Sequence, residues 1–180
     1  MLHSPAAHVE RIDSSLRTLV ADMFETMDEA PGVGLAAPQV GVGLRLYVYT
    51  YDADSAAPFR GVVINPELWM EPPTPGEPNP ATESEGCLSF PGHHFPLRRA
   101  HHVRVTGRDL DGAPVEIDVT GWRARIMQHE FDHLNGYLYV NRLIEPYHSQ
   151  AMEIAQTNHW EAPGSQWLPG RESWDRQGAK

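Results

Sequence analysis

Apolar residues at Ile12, Leu16, Leu19, Val20, Met23, Phe24 and Met27 recur every three to four positions, the spacing that lines one face of a helix. Asp13 or Ser14 is available as N-cap and Pro31-Gly32 closes the segment, so an amphipathic first helix is predicted with its apolar stripe in the core. The stretch GVGLAAPQVGVG, residues 32–43, is too rich in glycine for a helix or a regular strand and reads as a loop that allows close backbone approach. A phosphate cradle is disfavoured there because no Lys-Ser/Thr follows. The segments RLYVYTY (45–51), GVVIN (61–65), HVRVTGRD (102–109) and APVEIDV (113–119) carry β-branched and aromatic residues between turn signals. With Asp111-Gly112 as a hairpin turn, they predict antiparallel strands.

Helical spacing returns in TGWRARIMQHEFDHLNG, which opens at Thr120 and stops at Asn135-Gly136, about four turns. A last helix is expected to include His148 and His159. Five prolines in EPPTPGEPNPA, residues 71–81, deny that piece ladder hydrogen bonds and make it an exposed loop. Residues 160–180 show no periodicity and read as an irregular extension. The predicted class is α+β: mostly antiparallel strands around a central helix carrying His-Glu-x-x-His, plus an N-terminal and a C-terminal helix.

Composition narrows this picture. A chain of 180 residues with 41% hydrophobic content fits one domain over residues 1–180 with a real core. A net charge of -10 argues against direct nucleic-acid binding and against anionic lipid. No run of 18 apolar residues occurs, and MLHSPAAHVE lacks a secretory pattern, so no membrane partner and a cytoplasmic location are expected. The single cysteine, Cys87, excludes an internal disulfide and suits a reducing compartment.

Chemistry concentrates in QHEFDHLNG, residues 128–136. On a helix, His129 and His133 share a face as candidate metal ligands. Glu130, turned by roughly 100°, lies beside the metal's open position without being a ligand. A catalytic site of this kind needs a third protein ligand. Downstream candidates His148, His159, Glu145 and Glu153 have no distinguishing context, whereas upstream Cys87 stands in ESEGCLSFPG, residues 83–92, and offers a soft thiolate. Glu85 and Arg99 form either a brace for this loop or a surface ion pair of little energetic value. Asp132 either supports a ligand or faces water.

The three pieces GVGLAAPQVG, EGCLS and HEFDH, in that order, resemble the three motifs of the peptide deformylase family, over about residues 16–143. The resemblance implies that Cys87, His129 and His133 bind one divalent metal ion with water as fourth ligand, and that Glu130 is the general acid/base. It further implies that Gln39 and the backbone N–H of Leu88 stabilise the developing oxyanion. The implied activity is metal-dependent hydrolysis of the N-formyl group from the N-terminal formylmethionine of nascent polypeptides, releasing formate. The family's usual metal is Fe2+, although the donor set also admits Zn2+, Ni2+ or Co2+.

Glycines such as Gly34 and Gly86 suit a substrate backbone laid alongside as an added strand. Val33, Trp122 and Ile126 are the candidates for lining the methionine pocket. The expected partners are N-formylmethionyl peptides and, transiently, the ribosome. Departures from the family pattern are the shortened segment ahead of the first helix, from which a natural start upstream is an expectation, Arg123 for an apolar residue, and Asn141 for an aspartate. Two other classes stay open from the residues alone: a metallopeptidase cutting internal amides, and a non-catalytic metal-stabilised binding domain.

Overall fold

The computed structural model describes residues 1–30, 32–51 and 59–160. The predicted first helix is α1 (Ser14–Glu29), capped by the Asp13 carboxylate, which accepts from the Leu16 N–H. Its buried stripe, Leu16, Val20, Met23 and Met27, repeats at helical spacing. The glycine-rich stretch expected as a loop instead contains strand β1 (Gly34–Ala36), followed by a 3-10 turn, Ala37–Val40. β1 pairs antiparallel with β2 (Leu46–Tyr51), and that pairing outweighs the poor strand propensity of glycine.

β2 is the hinge of the packing, because both of its faces are covered. Leu46 and Val48 turn to α1, whereas Tyr47 and Tyr49 turn to the opposite side of the sheet. β3 (Phe59–Met70) runs well past the predicted residues 61–65. It contains Pro66, tolerated because a bulge shifts the register between Ile64 and Glu67, where Asn65 takes φ 53°. Residues 71–81 then carry no helix or strand and are exposed except for Glu71, partly buried, and Pro78, buried.

A small hairpin follows, β4 (Ser84–Cys87) with β5 (Phe90–Pro96), where the sequence suggested only a loop with a short apolar piece. β6 (His102–Arg108) and β7 (Pro114–Thr120) complete the main antiparallel sheet in the order β1-β2-β3-β6-β7. Their turn is fixed by the Asp109 carboxylate, which accepts from the N–H groups of Asp111 and Ala113 at 2.8 and 2.9 Å.

The central helix α2 (Gly121–Leu134) crosses the face of this sheet opposite α1 and packs Ala124, Met127 and Leu134 on Tyr47, Val63, Val103 and Val105. Its first N–H, at Gly121, donates to the His101 carbonyl at 2.8 Å. At its end Gly136 takes φ 79°, a conformation natural only to glycine, and a Cβ there would lie 2.8 Å from the Ser4 nitrogen. The hairpin β4–β5 lies on the other side of α2, joined by a 3-10 turn (Tyr139–Arg142) and α3 (Tyr147–Thr157) in a third apolar cluster. His148 belongs to α3, but His159 lies beyond its end at φ 56°. Of the extension read at 160–180, residues 161–180 lie outside the described residues.

Because Leu46 is fully buried between α1 and β2's neighbours, truncating it leaves a cavity rather than a refilled gap. Leu46→Ala is expected to lower unfolding free energy by about 2–5 kcal/mol, read from urea denaturation.

Candidate active site

α2 is unusual in burying six polar side chains: Arg125, Gln128, His129, Glu130, Asp132 and His133. Squeezed between the sheet and the β4–β5 hairpin, each needs a partner or a function, since an unpaired buried polar group is costly. Gln128 is satisfied structurally. Its carboxamide accepts from Ala100 N–H and donates to the carbonyls of Ala100 and Ala124, at 2.9–3.0 Å.

His129 and His133 stand one helical turn apart and direct their Nε2 atoms to the same point, 3.2 Å from one another. Cys87, at the end of β4, brings Sγ to 3.3 Å from His133 Nε2. Ligand atoms of the three residues all lie within 4.8 Å of one another, and among the described residues no other group of His, Cys, Asp and Glu side chains assembles in this way. His148, His159, Glu145 and Glu153 therefore take no part in such a group. The set is chemically suited to a divalent ion of borderline softness: one sulfur and two imidazole nitrogens. Burial pushes the Cys87 thiol up, but the imidazoles of His133 and His129 outweigh it and hold the thiol well below its ordinary range. A thiolate is the form in which cysteine binds metal. The backbone N–H of Ser89 also donates to this sulfur, at 3.3 Å.

The other nitrogen of His129, Nδ1, is 2.7 Å from Glu85 Oε1. This contact fixes the ring so that Nε2 faces the site, the usual support for an imidazole ligand. Glu85 is 4% exposed and Arg99 is 9% exposed. Arg99 meets the carboxylate with two nitrogens, at 2.7 and 3.2 Å, and with a third reaches Asp132 at 2.6 Å. The Glu85–Arg99 pair is therefore a buried brace, and the surface-pair alternative is excluded. Asp132 faces Arg99 and Arg142 rather than water. Burial alone would raise the Glu85 carboxyl, but Arg99 and His129 hold it far below the usual carboxylate range.

Glu130 is buried, and its Oε2 atom has no hydrogen-bond partner. Burial raises its carboxyl to about 7, against the opposing pull of the His129 and His133 imidazoles. Gly34 explains how it fits: a Cβ on Gly34 would lie 2.2 Å from Glu130 Oε1. Only a residue without a side chain lets β1 pass over this carboxylate. Gln39 is oriented by its own turn, with Oε1 accepting from the Ala36 N–H at 2.8 Å and Nε2 donating to the Ser89 hydroxyl at 3.2 Å.

These groups open onto one cavity of about 680 Å3. Gln39, Cys87, Leu88, His129 and Glu130 line it together with Val33, Gly34, Gly86, Trp122 and Ile126. Of the residues that the family resemblance or the pocket reading singled out, all but His133 thus border the cavity, and His133 is the most enclosed of the three candidate ligands. Ile126 is buried, whereas Val33 and Trp122 are exposed at the rim. Sequence reasoning passed over His93 and His94 on β5, which also border the cavity, because the hairpin was not foreseen. It also passed over Tyr139, whose ring stacks on His129 at 6.1 Å. No local pattern marks these residues, although the helical spacing of Arg125 and His129 was visible.

The family model described as polypeptide deformylase matches residues 1–148. The chain is 45% identical over 177 residues to the peptide deformylase of Mycobacterium leprae, covering 94% of this chain and 90% of that protein. Among solved structures, a peptide deformylase from Legionella pneumophila is 40% identical with TM-score 0.74, covering 90% of this chain and 92% of the other. Another from Synechococcus elongatus, in complex with actinonin, is 37% identical with TM-score 0.72, covering 87% and 79%.

Removing the thiolate leaves two imidazoles, too few for a tight site. Cys87→Ala is expected to lose stoichiometric metal, measured by elemental analysis after desalting, while retaining the far-UV circular dichroism of the folded chain.

Proposed function

Since the chain belongs to the polypeptide deformylase family, we propose that it removes the N-formyl group from the N-terminal formylmethionine of nascent polypeptides, releasing formate. The observation that carries this reading is the buried carboxylate of Glu130, unpartnered at Oε2 and set beside three convergent metal-type ligands at the wall of a peptide-sized cavity. A formamide is a small amide, and its hydrolysis needs an activated water, a seat for negative charge and a proton for the departing amine.

Cys87, His129 and His133 would hold the divalent ion, which supplies Lewis acidity and acidifies water. Ferrous iron is our assignment for the native ion, on the family resemblance; the same donors accept zinc, nickel or cobalt. Glu130 takes the proton of the attacking water and returns it to the amine nitrogen as the C–N bond breaks. Its raised carboxyl suits both halves of that task, because a group titrating near neutrality exchanges a proton readily in either direction. As the formyl oxygen gains charge, Gln39 Nε2 and the Leu88 backbone N–H donate to it. Gln39 is ready for this role because Ala36 and Ser89 already fix the plane of its carboxamide.

Gly34 on β1 and Gly86 on β4 form bare backbone on two sides of the cavity, suited to a peptide held by main-chain hydrogen bonds. Val33, Trp122 and Ile126 supply apolar contacts for the methionine side chain. The substrate arises during translation, so the enzyme meets it transiently at the ribosome, in the cytoplasm. A reducing compartment also keeps Cys87 available as a thiolate. No described helix is long and apolar enough to cross a membrane.

Formate release from formyl-Met-Ala-Ser by protein prepared without oxygen is the direct test; absence of formate with metal bound would overturn the reading. Glu130→Gln keeps size and hydrogen bonding but removes the proton acceptor, and is expected to lower kcat by about 10²- to 10⁴-fold or more with metal content near wild type. Loss of metal in this variant would instead make Glu130 a ligand. Formyl-Met peptides are expected to exceed formyl-Ala peptides in kcat/KM by at least about 10-fold, since each methylene-scale difference in an apolar pocket is worth about 10- to 200-fold.

A further inference from the structure

Arg125 is buried at the wall of the substrate cavity, yet its guanidinium is engaged with the hairpin rather than only with the cavity. One nitrogen, Nη1, donates both to Glu85 Oε2 at 2.8 Å and to the Leu97 carbonyl at 2.8 Å. Glu85 lies on β4, and Leu97 directly follows β5. Arg125 and His129 are one helical turn apart on α2, and the two oxygens of Glu85 are divided between them: Oε1 to His129 and Oε2 to Arg125. The carboxylate thus staples two successive turns of the helix to the strand that carries Cys87 two residues further on.

We propose that Arg125 is a positioning residue for the metal ligands: through Glu85 it sets the distance between the strand bearing Cys87 and the helix bearing His129 and His133. Arg99 cannot replace it. Arg99 reaches Glu85 and Asp132 from the segment after β5 and makes no bond to the Leu97 carbonyl, whereas Arg125 joins that carbonyl and Glu85 Oε2 to α2 from the helix itself. Without that guanidinium, Glu85 keeps its charge partner in Arg99 but loses the donor that holds Oε2 against the helix, and His129 loses a fixed support. The placement of Arg125 in the cavity wall beside Trp122 and Ile126 makes the substrate pocket and the ligand set parts of one rigid unit.

The role rests on the metal-site reading above, and its test uses Co2+ alone, without a formylated substrate, so the two readings fail separately. Arg125→Met is expected to weaken Co2+ affinity by about 10- to 100-fold in chelator competition and to alter the visible absorption of the Co2+-thiolate site. In formate release, kcat should fall more than KM rises. Arg125→Lys should recover part of the affinity, because an ammonium still donates to Glu85. In a Glu85→Gln background, Arg125→Met should change affinity by less than about twofold, because the path through the carboxylate is already broken. Where Arg125→Met does not fold, by circular dichroism, Arg125→Gln carries the same expectation. Unchanged Co2+ affinity and spectrum in a folded Arg125 variant, or an effect that adds in full to Glu85→Gln, overturns the proposal. If Co2+ responds as expected while wild-type protein releases no formate, the positioning role stands and the deformylase reading falls.

Discussion

The carboxylate of Glu85 is the interaction on which the rest of the site depends. A buried anion is tolerated only when its charge and lone pairs are met, and here three cationic or potentially cationic groups converge on two oxygens: Arg99, Arg125 and His129. The same Arg99 passes to Asp132, which also holds Arg142 from the 3-10 turn after α2. The result is a continuous charged network joining β4, the end of β5, α2 and the Tyr139–Arg142 turn. A buried charge left with no partner costs about 3–5 kcal/mol. That cost enforces a single arrangement of elements whose apolar contacts alone would permit sliding.

Geometry at the candidate ligands follows from this constraint. Helical periodicity places His129 and His133 on one face, but it leaves the rings free to turn. The Glu85 contact at Nδ1 removes that freedom for His129, and the stacked ring of Tyr139 closes its other side. Cys87 is delivered by a separate strand, so its position depends on how firmly the β4–β5 hairpin is held to α2. Glu130 occupies the remaining direction, with its carboxylate pressed under the bare backbone of Gly34. The main sheet contributes rigidity: β2 is buried on both faces and carries β1, and hence Gly34, over the helix.

Much of this was legible in the sequence because the signals are local. The stripe from Leu16 to Met27 and the cap at Asp13 define α1, and Thr120 with Asn135-Gly136 brackets α2. Alternation of β-branched residues around Asp111-Gly112 defines β6 and β7. The spacing of His129 and His133 carries its own geometric meaning once the helix is recognised, and the three motifs together pointed to Cys87. Where local reading fell short, a distant partner had decided the outcome. β1 is a strand because β2 pairs with it, and the EGCLS segment is a hairpin because β5 folds back on it. β3 extends beyond its apolar run because β6 continues the ladder past the bulge at Asn65 and Pro66.

By itself the sequence determined the helices and most of the strands, since propensity, capping and periodicity act over a few residues, and its motifs named side chains that the fold brings together at one cavity. Only the tertiary structure decided the electrostatic character of those side chains. Whether Glu85–Arg99 is a solvated pair or a buried brace depends on what covers it, and nothing within a few residues of either states that. The raised carboxyl of Glu130, the lowered thiol of Cys87 and the attachment of Arg125 to Glu85 and Leu97 arise in the same way. Each is set by desolvation and by charges brought from elements remote in the chain, quantities that exist only after the elements have packed.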